Sequence, residues 1–221
     1  MIAIHDPDVA FTDLGLAILG AYLGWRLVAD RAGGALTRSG AVMMFALAGA
    51  AFWGGVFHAF FPAQTATPAG FVVWLAVAFS IVVVATVLLE LGMALLAPRV
   101  PARVRKGLAV IYAASFAAVV MLVNQSFSTI VRFYGPALIL ILVAAVVQAV
   151  RARSTEWTFV AAGFALSSGA TLLQQARVAI HPQYFDHNAL YHVLQGGALM
   201  LLYLGFRRAS LPSARASMHA S

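Results

Sequence analysis

The chain has 221 residues, of which 62% are hydrophobic and 10% charged, with a mean hydropathy of +0.91 and a formal net charge of +7. That composition excludes a water-soluble domain. The basic residues lie between apolar stretches and not on one soluble surface, so the charge marks no nucleic-acid binder. Cysteine is absent, which removes disulfides, thiolate ligands and thiol catalysis.

The chain opens on His5, Asp6 and Asp8, with no basic leader and no small-residue cleavage site, so its first apolar stretch is expected to be a retained span. Apolar stretches follow at about 9–30, 40–61, 69–97, 104–123, 128–150, 156–180 and 187–206. At about 1.5 Å per residue, roughly 20 apolar residues cross a hydrocarbon core of about 30 Å. Lipid offers backbone groups no partners, and these stretches lack the alternation of a barrel, so each is predicted to be a helix. The expected fold is an all-α membrane protein, a seven-transmembrane-helix bundle forming one domain over 1–208. The tail 209–221, ASLPSARASMHAS, is small and polar and reads as disordered. Gly15, Gly20 and Gly24, and Ala48, Gly49, Ala51 and Gly55, should let helices approach closely.

The links set the orientation. Arg26, Arg31 and Arg38 flank the first, Arg99, Arg103, Arg105 and Lys106 the third, and Arg151 and Arg153 the fifth, while Arg207, Arg208 and Arg215 follow the last helix. Only Arg132 and Arg177 fall on the other side. Basic residues beside short loops stay cytoplasmic, which predicts the N-terminus outside and the C-terminus and its tail inside. The same residues should attract anionic lipid. With the compact, Ala- and Arg-rich composition, this bias points to the cytoplasmic (inner) membrane of a bacterial cell. The expected partners are the bilayer and a lipid or small polar ligand; a homo-oligomer is left open.

A charged group at the centre of a span costs about 2.5–3.5 kcal/mol, so polar residues inside the spans direct the search for a site. Asp13, His58 in FWGGVFHAFFP, Asn124 and Gln125, Gln174, Gln175 and Arg177, and then Asp186, His187, Asn188 and His192 all fall in the outer third of the membrane. His58 and His192 have apolar neighbours and should face the bundle interior, whereas His5, His181 and His219 read as loop or tail residues. Asn188, His192 and Gln195 share one face by i+4 and i+3 spacing. His187 diverges from His192 by about 140° on an ideal helix. Asp186 is placed to cap the last helix. Glu90, alone in the inner half of the third span, should be neutral or paired with Arg26 or Arg153. Arg132 could reach phosphate or counter Asp13, and Trp25, Trp53, Trp74 and Trp157 suit an aromatic belt. Lys106, the only lysine, sits in a link and excludes a Schiff base within the bundle.

Seven helices with the N-terminus outside, a histidine near the outer end of helix two and histidines opening helix seven resemble the superfamily of alkaline ceramidases and adiponectin-receptor-like proteins. The resemblance implies zinc held by His58, His187 and His192, and hydrolysis of a lipid amide by metal-bound water. Asp13 or Asp186 would orient that water, and Gln174, Arg177 and Asn188 would bind the substrate's head. The register differs at three points. The family's HxxxH reads here as Asn188 to His192, its helix-two serine falls on Gly54, and its helix-three aspartate has no counterpart in PAGFVVWLAVAFS. The segment DHNALYHVLQ also resembles a signature of uncharacterised bacterial seven-helix proteins. Two further readings stand beside the hydrolase. One is a single haem ligated by His58 and His192. The other is a binding or transport bundle in which Asp13, Gln174, Arg177, Asn188 and His192 line an outward cavity. Pro136 is the only proline well inside a span, so the paired broken helices of transporters are not evident.

Overall fold

A computed structural model describes residues 4–30, 34–61 and 67–208. The expected tail 209–221, with Arg215 and His219, and Arg31 of the first link lie outside the described residues. Among those described there are seven helices: α1 (Pro7–Ala29), α2 (Ala35–Phe60), α3 (Pro68–Leu96), α4 (Ala102–Leu122), α5 (Phe127–Ala152), α6 (Thr155–Gln175) and α7 (His187–Phe206). Six of them, all but α6, are long and apolar enough to cross a membrane, which makes this a multi-pass membrane protein. Helix α6 is as long as α4 but carries Ser167, Ser168, Thr171, Gln174 and Gln175. Ser167 is buried, and Thr171 and Gln174 border an internal cavity, so its lower hydropathy reflects its inner face.

The helices run alternately up and down. At the end where α1 begins, here the amino face, the amides of His5 and Asp6 donate to the carbonyls of Ala59 and His58 at the end of α2. The amide of Asp186, just before α7, donates to the Asp8 carboxylate at 3.1 Å. At the opposite face Thr37 of α2 donates to the Phe206 carbonyl of α7 at 3.0 Å, and Gln148 of α5 donates to the Leu95 carbonyl of α3 at 3.3 Å. Neighbours in space are α1–α2–α3–α5–α6–α7, with α7 returning to α1, so six helices close a ring. Helix α4 stands outside it against α3 and buries only Ala109, Phe116 and Val120.

Small residues set the tight crossings. A Cβ on Gly20 would lie 3.2 Å from Ala48 Cβ and the Met44 carbonyl, and one on Gly55 3.2 Å from the Ala10 carbonyl, which lets α1 and α2 approach backbone to backbone. Gly163 and Gly205 do the same between α6 and α7, where added Cβ atoms would fall 2.7 Å from Leu202 Cγ and 2.8 Å from the Glu156 carbonyl. Gly15, by contrast, has no such neighbour within 4 Å. Met43, Met44, Val84, Leu88, Leu91 and Phe206 fill the half of the bundle toward the opposite face. The other half is left open.

Several expectations are corrected. The sixth helix ends at Gln175 and not near 180, because Arg177 adopts a left-handed backbone (φ 55°). Its amide donates to the Gln174 carbonyl and that of Val178 to the Leu173 carbonyl, the bond pair of a Schellman stop. Glu90 faces Arg105, at 4.0 Å, and neither Arg26 nor Arg153. Arg26 donates to the Tyr22 hydroxyl instead. Arg132 is exposed on α5, and Asp13 has another partner. Trp25 and Trp53 are exposed as a belt requires, but Trp157 is buried and the Trp74 indole N–H donates to the Gln125 carbonyl at 2.8 Å.

Candidate functional site

The open half of the ring is a cavity of about 660 Å³ that runs inward from the amino face. Its mouth carries His58, Gln125, Gln174, Arg177, His187 and Asn188. Deeper, its wall turns apolar, with Leu16, Leu47, Ala50, Val77, Ile81 and Leu199. At about 1.5 Å per residue, Leu199 lies about 18 Å and Leu47 and Ile81 about 20 Å from the helix ends at that face. The polar-to-apolar gradient therefore extends along most of a membrane leaflet.

Asp13 and His192 lie where the wall begins to turn apolar, with Tyr134 and Gln195 the polar groups beneath them. Asp13 and His192 each lie about 8–9 Å from the helix end. Asp13 Oδ1 is 3.1 Å from His192 Nε2, and the side chains are only 6% and 10% exposed. On its other side the ring presents Nδ1 to Thr12 Oγ1 at 3.2 Å. The Thr12 hydroxyl has one proton, and it donates back to the helix carbonyls of Asp8 (2.8 Å) and Val9 (3.0 Å). Nδ1 must therefore be the donor to Thr12, and Nε2 meets the carboxyl through one shared proton. The pair is then either imidazolium with carboxylate or imidazole with carboxylic acid, neutral as a whole in both cases. A neutral pair with both ring nitrogens and one carboxyl oxygen engaged can sit in an apolar wall where a lone charge could not.

The local sequence explains these positions. Asp13 points at α2 where Gly54 has no side chain. A Cβ at residue 54 would lie 2.8 Å from Asp13 Oδ2, so the carboxylate occupies the space such a side chain would fill. Asp186 caps α7, accepting from the amides of Asn188 (2.8 Å) and Ala189 (2.9 Å), and this carboxyl does not line the cavity. The cap fixes the first turn, where the Asn188 carbonyl oxygen Oδ1 accepts from Gln174 Nε2 at 3.0 Å and joins α6 to α7 across the mouth. Deeper in the same wall, Tyr191 lies within reach of Gln195 and Thr171, and Tyr134 within reach of Ser167.

Of the residues singled out in the sequence, Asp13, His58, Gln174, Arg177, His187, Asn188 and His192 all border this one cavity. They do not form a metal-ligand set. His58 Nδ1 faces Asp6 at 3.5 Å, His187 Nδ1 faces Asp186 at 3.5 Å, and both ring nitrogens of His192 are engaged. Among the described residues no three His, Cys, Asp or Glu side chains are grouped to hold a metal ion. Ligation of zinc or haem by His192 would require its bond to Asp13 or Thr12 to open, since a ligand nitrogen needs a free lone pair, whereas His58 and His187 are engaged only through Nδ1. Thr12 has no place in the sequence reading, and Asp8 and Trp74 enter it only as part of the acidic start and of an aromatic belt. Thr12 next to Asp13 could have drawn notice as a second polar residue on the first helix; Asp8 and Trp74 act through backbone contacts that no pattern reveals.

Fold and site together define a polytopic helical membrane protein with an amphipathic internal cavity. The chain belongs to a family of unknown function, DUF6962, which matches residues 9–211. No curated protein and no solved structure matches it.

Proposed function

We propose that the protein binds one amphiphile, with its head at the amino face and its apolar chain in the interior. The observation that carries this reading is the cavity's gradient from a hydrogen-bonding mouth to an aliphatic floor within one continuous space of about 660 Å³. That volume falls in the usual range of ligand pockets, about 300–1,000 Å³. Arg177 is the mouth's cation with no carboxylate partner among the described residues, which favours a head bearing negative charge or strong acceptors. The basic residues of the links gather at the opposite face, which supports α6 as a seventh span, the amino face outside and the C-terminus in the cytoplasm of a bacterial cell.

A second reading has its own support. The Thr12–His192–Asp13 chain lies where the polar zone meets the apolar one, the depth at which a head-to-chain linkage of the amphiphile would sit. Once its bond to Asp13 opens, Nε2 of this histidine can act as general base or acid on an ester or amide there. On that reading the protein is a lipid hydrolase that works without the three-histidine metal site.

Mass spectrometry of lipids retained by the detergent-purified protein tests the binding reading. Wild type should retain about one amphiphile per chain, and Ile81→Trp and Leu47→Trp, which fill the floor from two helices, should each lose it while remaining folded by circular dichroism. Retention unchanged in both folded variants would refute the reading. The hydrolase reading requires more: His192→Ala must abolish turnover of a lipid amide or ester and leave binding of the uncleaved substrate in place.

A further inference from the structure

A second concavity, of about 360 Å³, lies at the opposite face, outside the helix ring. Helices α2 and α4 both pack on α3 and leave a groove between them. Val87, Glu90, Leu91 and Ala94 of α3 form its floor, at the i, i+3, i+4, i+7 spacing of a single helix face. The walls bring Arg38 from α2, and Arg105 and Lys106 from α4, so three cations face one carboxylate. Glu90 does not cancel them. Its Oε1 lies 4.0 Å from Arg105 Nε while Arg105 Nη1 donates to the Val100 carbonyl, so the carboxylate and the carbonyl together orient one guanidinium and leave surplus positive charge. The first turn of α2 adds unpaired amides, since its N-cap is Gly34 and no side chain caps it.

Depth and lining identify the occupant. Arg38 and Arg105 each stand three residues inside their helix ends and Glu90 six, about 5–9 Å along the axis. The interfacial layer outside the hydrocarbon is about 5–8 Å thick on each side, so the two arginines sit at headgroup level and Glu90 just beneath it. Past them the groove continues over Val42 and Val87 toward the membrane middle. A free anion has no use for that wall, but an acyl chain does. We propose that this groove is a binding site for one anionic phospholipid, its phosphate on Arg38, Arg105 and Lys106 and the start of its chain along α3.

The test is native mass spectrometry of the full chain released from nanodiscs of mixed phosphatidylglycerol and phosphatidylcholine. All proteins carry Ile81→Trp, which fills the cavity at the amino face, so that only the groove is counted. The parent should retain one phosphatidylglycerol in preference to phosphatidylcholine, and R38Q/K106Q should hold it about 30-fold more weakly, the loss of two basic contacts near the membrane surface. R207Q/R208Q removes the same charge elsewhere on this face and should leave retention unchanged. Equal retention of phosphatidylcholine, no loss in R38Q/K106Q, or an equal loss in R207Q/R208Q would overturn the site. So would full displacement by millimolar inorganic phosphate, which would mark a site for the free anion.

Discussion

Gly54→Ala probes the cavity from behind. The new Cβ would stand 2.8 Å from Asp13 Oδ2, 3.3 Å from Cγ and 3.4 Å from Oδ1, so the oxygen must retreat by several tenths of an ångström. It cannot do so with its pair intact, because Oδ1 is held at 3.1 Å by His192. The carboxyl rotates away and the shared-proton bond breaks. Losing a hydrogen bond to a charged partner costs about 1.5–3 kcal/mol, while alanine for glycine inside a helix returns about 0.5–1 kcal/mol. The net is a loss of about 1–2 kcal/mol, or about 2–8 °C in melting temperature for a chain of this length. Gly15→Ala is the control: nothing lies within 4 Å of its Cβ, so it should only gain stability. Thermal unfolding in detergent, read beside retention of the bound amphiphile, gives both effects. A Gly54→Ala protein as stable as Gly15→Ala, with its ligand retained, would refute the claim that Asp13 is locked in place by His192.

Three further substitutions separate structure from binding. Asp13→Asn should stay within about 1 kcal/mol of wild type, since its amide can donate to Nε2, whereas Asp13→Ala leaves a buried imidazole without a partner and should cost about 3–5 kcal/mol; equal melting temperatures for the two variants would contradict the one-proton arrangement. Arg177→Gly should raise stability by about 1 kcal/mol, because φ 55° is free to glycine and strained for arginine, and should still weaken retention of an anionic amphiphile; a fall in melting temperature would show that the arginine side chain, and not its backbone, holds that turn. Asp186→Ala removes the cap of α7 and should cost about 1 kcal/mol, measured by chemical unfolding, without altering which head the cavity selects.

What could be read from the sequence and what could not divide along a physical line. Spans were legible because hydrophobicity is summed over some twenty residues, and one polar position does not erase it. The layer of polar residues near one end was legible for the same reason, since depth follows from residue number once a helix is assigned. Partners were not legible. Depth alone leaves Glu90 neutral or paired with Arg26 or Arg153, but α4 folds outside the ring and delivers Arg105 to it. The end of α6 was placed five residues late because Ala176 to Ile180 stays fairly apolar, and an arginine in the left-handed region leaves no sequence mark of the kind glycine does. The space behind Asp13 was visible only as a missing serine at Gly54. Its meaning depended on α1 lying against α2 in the register that Gly20 and Gly55 allow.

The geometry of that register bears on what the cavity selects. With one proton shared between Asp13 and His192, and Thr12 satisfying the remaining nitrogen, the middle of the cavity carries no net charge. Long-range electrostatic selection therefore belongs to the mouth. There His58 and His187 each face a carboxylate, leaving Arg177 as the cation without one among the described residues. The arginine stands on a strained turn that a glycine would hold at lower cost, a backbone conformation that persists at ligand sites when the surroundings hold it. An anionic head would give that charge its counterion at the mouth, while the neutral pair beneath lets the first carbons of the chain pass without crossing a fixed charge. On the binding proposed above, selection by head and accommodation of the tail fall at different depths of one cavity, and a ligand lacking either half should bind poorly.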